Sequence, residues 1–416
     1  MVFLYNAGLR CYHLLLYIVA LFHVKADKWV KGRKNWTSLL SEQRKAHESW
    51  MWFHCSSLGE YEDSCEVFNR LRTEYPCTKT LLTFFSPSGF EVLQPLHDYD
   101  MLLYLPLDSK RNAKKFLDIL QPKVIFFSRS ELWYNYSREI KRRNIPSFLL
   151  SLRLANDSKF LHPFMKSLYQ TCFNTFTHIF CQDRVTQKNL AVHFNIHNTS
   201  LSGNPRFDRI YNATLHATKF PSVEKFIQDH YVIILGSSLP KDEQLLFKTM
   251  QQLIPLPVKY IIVPHEIDRK EIDATVKTNP QVICYSNIES LTPSHMILYI
   301  DFVGGLKHLY RYAHLALIGG GFDKIGIHNI VEPAAYGLKT LFGPHHKNYQ
   351  EALDLLAMNK AFIYRNENEL RHIIRQEMIQ PADKNSTHEI IQYVKQHTGG
   401  CSKIMETLHS QFSTLI

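Results

Sequence analysis

The sequence predicts an α/β protein of two doubly wound, Rossmann-like domains facing a cleft, with an apolar helix at the N-terminus. Three observations carry that prediction. The 416 residues correspond to two or three domains at roughly 150 residues each. Short apolar runs alternate with polar, helix-periodic stretches in two series, the pattern of βαβ units around buried parallel sheets. Between the series, residues 209–229 hold no strand pattern and contain the breaker cluster Phe220-Pro221-Ser222. At 45% hydrophobic and 21% charged residues the chain sits near the globular average, which excludes wholesale disorder and collagen-like or coiled-coil fibres. Lys and Arg total 48 against 38 Asp and Glu, a thinly spread +10 that implies acidic partners such as phosphate or an anionic membrane without choosing between them. The eight cysteines form no C-x-x-C pair, which argues against a zinc ribbon or thioredoxin-like site and leaves reduced thiols as the default.

Residues 1–24 are strongly apolar and carry one formal charge, Arg10. Lys25, Lys28, Trp29, Lys31, Arg33, Lys34 and Trp36 follow at once. A secretory signal would need an early positive region and small residues at a cleavage site, and neither is present. A spanning helix needs about 20 apolar residues, only just available here, with Arg10 and His13 in the way. An interfacial helix with aromatic and basic flanks fits best, and a core helix of a soluble domain is the plain alternative. In either membrane reading the basic border keeps the bulk of the chain on the cytoplasmic side.

The first strand series is Trp50–His54, Thr80–Phe85, Met101–Leu105, Lys123–Phe127, Ser147–Ser151 and His178–Cys181, with helices such as Glu62–Tyr75 and Lys110–Leu120 between them. The second is Tyr231–Leu235, Lys259–Val263, Val282–Tyr285, Ile297–Ile300, His314–Ile318, Thr340–Phe342 and Ala361–Tyr364. Residues 386–416 read as helix broken at Gly399-Gly400. The expected organisation is therefore a membrane-associated helix and basic border (1–36), a first Rossmann-like domain (37–215), a hinge near 205–230, a second Rossmann-like domain (225–395) and a C-terminal helix (396–416). Ligands of such sheets bind beyond the carboxyl ends of strands, and the cleft between two such domains is the default site.

The informative residues follow strands. Trp52-Phe53-His54-Cys55-Ser56-Ser57-Leu58-Gly59-Glu60 runs from a strand through small residues into a helix, where Glu60 is either a general base or an ordinary N-terminal helix charge. Arg129 and Glu131, in Ser130-Glu131-Leu132-Trp133-Tyr134-Asn135, alternate at a strand end, where a structural ion pair is the plain reading. Ser202-Gly203-Asn204-Pro205-Arg206-Phe207-Asp208 is turn chemistry first, though Arg206 at a domain junction can reach an anionic ligand. Leu235-Gly236-Ser237-Ser238 is a possible phosphate-facing loop. Pro264-His265-Glu266 invites a metal reading, but no second His follows one turn on, so H-E-x-x-H is absent. The densest group is Gly319-Gly320-Gly321, then His328-Asn329-Ile330-Val331-Glu332-Pro333, then Phe342-Gly343-Pro344 to Asn348. Glycines after a strand allow close backbone approach to a ligand, and a helix opening with His-Asn and carrying Glu332 suits phosphate and ribose. Gly319-Gly320-Gly321 is not a dinucleotide fingerprint, which argues against a simple dehydrogenase.

Together these motifs make the chain resemble, over nearly its whole length, the 3-deoxy-D-manno-octulosonic acid (Kdo) transferases of lipopolysaccharide synthesis, which have the two-domain GT-B glycosyltransferase fold. The family's W-x-H-x-x-S-x-G-E is matched by Trp52, His54, Ser57, Gly59 and Glu60, and its E-L-W-P-N by Glu131 to Asn135 with Tyr134 for Pro. Its G-N-x-K-F-D is matched by Gly203 to Asp208 with Arg206 for Lys, its G-H-N-x-x-E-P by Ile327 to Pro333, and its F-G-P-x-x-x-N by Phe342 to Asn348. The resemblance implies transfer of Kdo from CMP-Kdo to a lipid A precursor (lipid IVA) at the cytoplasmic face of the inner membrane, with inversion and without a metal or other cofactor. It assigns the catalytic base to Glu60, a carboxylate role to Glu131 and transition-state stabilisation to Arg206. It assigns the donor contacts to Pro264-His265, Val303-Gly304-Gly305, the glycines Gly320 and Gly321, and His328-Asn329-Ile330-Val331-Glu332. Three positions depart from the pattern. Arg129 stands where many members have Glu, His265 follows Pro264 where they have Arg, and Gly305 replaces Glu. Competing expectations are another GT-B enzyme using a UDP-sugar (a lipid A disaccharide synthase or an epimerase) and a non-catalytic, membrane-tethered nucleotide-sugar binding protein. Nucleic acid is disfavoured, because no basic stripe with interleaved aromatics lies outside residues 25–45.

Overall fold

The structure, a computed structural model, describes residues 1–45, 47–96, 99–253, 256–324, 326–380 and 384–414. It divides into two compact units, one of Met1–Asp208 with Thr398–Ile416, the other of Arg209–His397. Unit 1 holds β1 (Trp50–Cys55), β2 (Lys79–Phe84), β3 (Met101–Tyr104), β4 (Val124–Ser128), β5 (Ser147–Leu152), β6 (His178–Cys181) and β7 (Thr199–Leu201). They pair in parallel in the order β3-β2-β1-β4-β5-β6-β7. Unit 2 holds β8 (Tyr231–Ser238), β9 (Val258–Pro264), β10 (Val282–Cys284), β11 (Ile297–Tyr299), β12 (Leu315–Ile318), β13 (Lys339–Phe342) and β14 (Ala361–Ile363). Its parallel order is β10-β11-β9-β8-β12-β13-β14. Strand order reverses between β1 and β4 in the first sheet and between β8 and β12 in the second. These are the switch points where doubly wound sheets bind ligands.

Every residue of β1 is buried, because helices cover both faces of a parallel sheet. Trp52 packs with Phe116 and Phe127 on one face. Phe53 stacks on Phe68 on the other, where the C-terminal helix Gly400–Phe412 adds Cys401, Ile404, Met405 and Leu408. That returning helix is held at its start by Asp208, whose carboxylate accepts from the Gly399 N–H at 2.8 Å and the Gly400 N–H at 3.0 Å. Gly400 fits closely there, since a Cβ would lie 3.1 Å from the backbone N of Pro205 and that segment would have to give by a few tenths of an ångström. Asp208→Ala strips three helix-start N–H groups, those of Gly399, Gly400 and Cys401, of their acceptor and is expected to cost about 1–3 kcal/mol, read as a lowered Tm. An unchanged Tm would show that solvent replaces the cap.

The N-terminal helix Val2–Val19 is apolar and long enough to cross a membrane, yet it lies along unit 1. Val2 and Tyr5 pack against the main core, while Leu9, Leu16 and Ala20 pack on Trp29, Val30 and Leu107. The opposite face, with Phe3, Leu14, Leu15, Ile18 and Phe22, is exposed. The basic border divides. Lys28 pairs with exposed Glu91 at 2.7 Å, whereas Trp29 and Arg33 are interior. Arg33 lies 3.8 Å over the Trp29 ring and donates to three backbone carbonyls, those of Trp29, Phe85 and Leu105. Burial pulls its guanidinium down to about 9. A Trp-Arg pair thus serves packing as readily as a lipid border.

Candidate active site

The first site is built on the β1/β4 switch point. β1 ends at Cys55, Ser56 and Ser57 turn the chain, and Glu60 sits in the first turn of the helix Leu58–Glu74. The Ser57 hydroxyl donates to Glu60 Oε2. Burial raises the Glu60 pKa first and the neighbouring Glu131 charge second, while the Ser57 hydroxyl and Arg129 oppose the rise. A half-buried carboxylate held this way is a stronger base than one in water.

Glu131 follows β4 and is buried. Its Oε2 accepts from Trp133 Nε1 at 2.8 Å and lies 3.0 Å from His54 Nε2. His54, fully buried, meets Thr83 through Nδ1, 2.9 Å from the hydroxyl and 3.1 Å from the carbonyl. Glu131 is therefore a fixed charge beside Glu60, oriented from two sides. Arg129 takes a left-handed backbone (φ 56°) and turns its guanidinium to Asp63, three residues after Glu60 on the same helix. Asp63 is 1% exposed, and Arg206 Nε lies 4.0 Å from its other oxygen. A buried carboxylate between two guanidiniums explains how Arg is accommodated where the resemblance has Glu, because its charge is matched inside the domain. Ser128 and Ser64 join the two elements, with Ser128 Oγ donating to the Glu60 carbonyl at 2.7 Å.

The second site lies at the carboxyl ends of the second sheet. Gly319, Gly320 and Gly321 leave β12 beside the end of β8. A Cβ on Gly319 would lie 2.1 Å from the Ser237 carbonyl oxygen, and one on Gly321 2.4 Å from the Gly343 N. Close packing on the end of β8 and on the Gly343 turn thus accounts for these two glycines without a ligand. Pro264 ends β9, His265 follows it, and His265 stacks on His328 with ring centres 4.3 Å apart. Burial and then His265 push the His328 imidazole down to about 4, so it is neutral at physiological pH. The Asn329 side-chain oxygen accepts from the Val331 N–H at 3.1 Å, while its Nδ2 is buried without a hydrogen-bond partner among the described residues. A buried orphan donor is what a bound ligand would satisfy. Ile330 and Val331 are core residues, and Glu332 lies 3.9 Å from Arg209. Val303, Gly304 and Gly305 form the turn after β11, with Val303 exposed and Gly304 at φ 89°.

Within unit 1 the structure thus gathers Glu60, Glu131 and Arg206, and at the strand ends of unit 2 it sets the residues of the donor group. Asp63, His54 and Thr83 carry no role in the sequence reading. Only the three-residue spacing of Asp63 from Glu60 on one helix face could have pointed to it. Among the described residues no group of three or more His, Cys, Asp or Glu side chains could hold a metal ion.

Comparison with known proteins bears on this geometry. Residues 31–209 match the family described as 3-deoxy-D-manno-octulosonic-acid transferase (kdotransferase). The 3-deoxy-D-manno-octulosonic acid transferase of Haemophilus influenzae is 26% identical over 358 residues, 84% of this chain and 83% of that protein. The enzyme of the same name from Chlamydophila psittaci is 28% identical over 317 residues, 73% and 72% of the two chains. Among solved structures, a UDP-GlcNAc 2-epimerase from Neisseria meningitidis superposes with a TM-score of 0.59 at 14% identity, covering 88% of this chain and 100% of that one. That likeness shows the fold alone. Two parallel Rossmann-like sheets with these sequence relatives define a glycosyltransferase of GT-B architecture. Within that class, residues 31–209 match the Kdo transferase family, and the relatives that align over most of the chain are Kdo transferases.

Proposed function

We propose that the protein transfers Kdo from CMP-Kdo to a hydroxyl of a lipid A precursor, with inversion, and that Glu60 is the general base. The observation that carries the reading is the Glu60 carboxylate, half-buried at the β1/β4 switch point with its pKa raised beside a fixed Glu131. Glu60 accepts the proton of the acceptor hydroxyl. The freed oxygen pair forms the bond to the anomeric carbon as the bond from that carbon to the CMP phosphate oxygen breaks, and CMP leaves with that electron pair. Arg206 supplies positive charge as negative charge develops. In unit 2 the donor is held by Pro264-His265, the Val303–Gly305 turn, and His328 to Glu332, with Asn329 Nδ2 donating to it. Here His265, stacked on a neutral His328, stands in for the missing Arg.

The exposed apolar face of the N-terminal helix fits the headgroup boundary of the inner membrane on its cytoplasmic side. The packing of the other face on unit 1 supports a helix that lies on the bilayer over one that crosses it. The test is a transfer assay with freshly generated CMP-Kdo, a tetra-acylated lipid A precursor in detergent and EDTA, read by product mass. A gain of one or more Kdo units is expected. No gain with CMP bound would refute the acceptor. Binding of UDP in preference to CMP would overturn the donor.

A further inference from the structure

The N-terminal helix is hydrogen-bonded to the segment that carries Glu131. Asp108, fully buried in the loop after β3, is the shared acceptor. Its Oδ2 accepts from the Tyr5 hydroxyl at 2.6 Å and from the Asn135 N–H at 3.0 Å, and its Oδ1 accepts from the Tyr136 N–H at 2.8 Å. The helix Tyr134–Arg142 has no side-chain cap from its own Trp133, so Asp108 caps it from another segment. Asn135 closes the link a second time. Its Nδ2 donates to the Asp108 carbonyl at 2.6 Å and to Asn6 Oδ1 at 2.9 Å. The Tyr5 and Tyr134 rings meet edge to face at 5.8 Å. Two residues of the N-terminal helix thus reach the first turn of a helix preceded by Glu131 and Trp133, which meet His54, and the Glu131 charge acts on Glu60.

We propose that Tyr5 and Asn6 are positioning residues for the transfer: the seat of the N-terminal helix on unit 1, passed through Asp108 and Asn135, holds Glu131 and Trp133 in register with Glu60. The catalytic meaning of this link rests on the Kdo transfer proposed above. Its physical basis is that a backbone segment can be no better placed than the cap that starts the next helix, and this cap is divided between two parts of the chain. The helix then has two separable functions. Its outer face meets lipid, and its inner face sets the geometry of the acceptor site, so that loosening it disturbs the chemistry as well as the anchoring.

Tyr5→Phe tests this with little damage, since it deletes one hydroxyl and keeps the ring packing. In full-length protein, kcat at saturating donor and acceptor is expected to fall about tenfold, the scale of one hydrogen bond to a buried carboxylate, with the acceptor KM within about twofold of wild type. Amide hydrogen exchange over residues 129–137 should speed up, and sedimentation with phosphatidylglycerol–phosphatidylethanolamine vesicles should stay at the wild-type level. Tyr5→Phe combined with Asn6→Ala should deepen both the kcat loss and the exchange change. Wild-type exchange over 129–137 in the double variant, or a loss confined to vesicle binding or acceptor KM, would overturn the proposal. The exchange measurement needs no substrate, so a wild-type protein without Kdo transfer would refute the functional reading and still leave the link tested.

Discussion

Glu60→Gln is expected to abolish transfer while making the protein more stable. Loss of a positioned general base lowers kcat by about 10²- to 10⁴-fold. CMP binding should persist, because the proposed donor contacts lie on the second sheet. The stability change has the opposite sign for a physical reason. Burial and Glu131 raise the Glu60 pKa, so the folded state prefers the protonated form. The stability this gives is fully present below the ordinary carboxylate pKa and is lost as pH rises through the raised folded value. The ionised form therefore strains the fold, and the neutral amide relieves that strain. Thermal melts at pH 7.5 should show a higher Tm for Glu60→Gln than for wild type, and melts near pH 4 should show the gap closed. Wild-type turnover in this variant would end the base assignment.

Glu131→Gln should change both the rate and its pH dependence. The substitution keeps an acceptor oxygen for Trp133 or His54 but removes the charge that both donors face. Weakening hydrogen bonds to a charged group by about 1.5–3 kcal/mol corresponds to a loss of about 10- to 100-fold in turnover if the segment drifts. The pH profile separates this from simple loosening. With the neighbouring negative charge gone, one of the causes raising the Glu60 pKa disappears, so the acid limb of kcat/KM should move to lower pH. An acid limb that stays in place, or moves up, would show that Glu131 does not act on Glu60 electrostatically.

The strands were legible in the sequence because both sheets are parallel and covered on both faces, which writes each strand as an unbroken apolar run. β7 was missed. It is a three-residue edge strand, Thr199-Ser200-Leu201, only partly buried, and its polar composition looks like a turn. Tyr285 was assigned to a strand but begins the 3₁₀ segment Tyr285–Ser290, since the apolar pattern runs one residue past the last pairing with β11. At the site, Glu60 and Glu131 stand out by position after strands, but the side chains that orient them do not. His54 and Thr83 face each other across paired strands, and Asp63 faces Arg129 from a different element. Such partnerships depend on strand order, which local pattern does not encode. The glycines misled in the other direction, since Gly319 is explained by packing on the end of β8 and Gly321 by packing on Gly343. Trp29 and Arg33 read as a lipid border because nothing local says that their partners are the Leu105 and Phe85 carbonyls.

The return of the last helix to unit 1 has a consequence for synthesis. In chain order unit 2 is an insertion within unit 1, so a ribosome finishes the whole of the second sheet before it delivers residues 400–412. Until then the helix bearing Glu60 has no cover for Phe68 and Val67 on the side that Ile404 and Leu408 later fill. The nascent first unit must wait with an open apolar seam while the second matures, and chaperone dependence should be concentrated in that interval. A stop codon at the start of Gly400–Phe412 would leave both sheets encoded in full, yet yield a protein in which the helix bearing Glu60 never closes on its last partner.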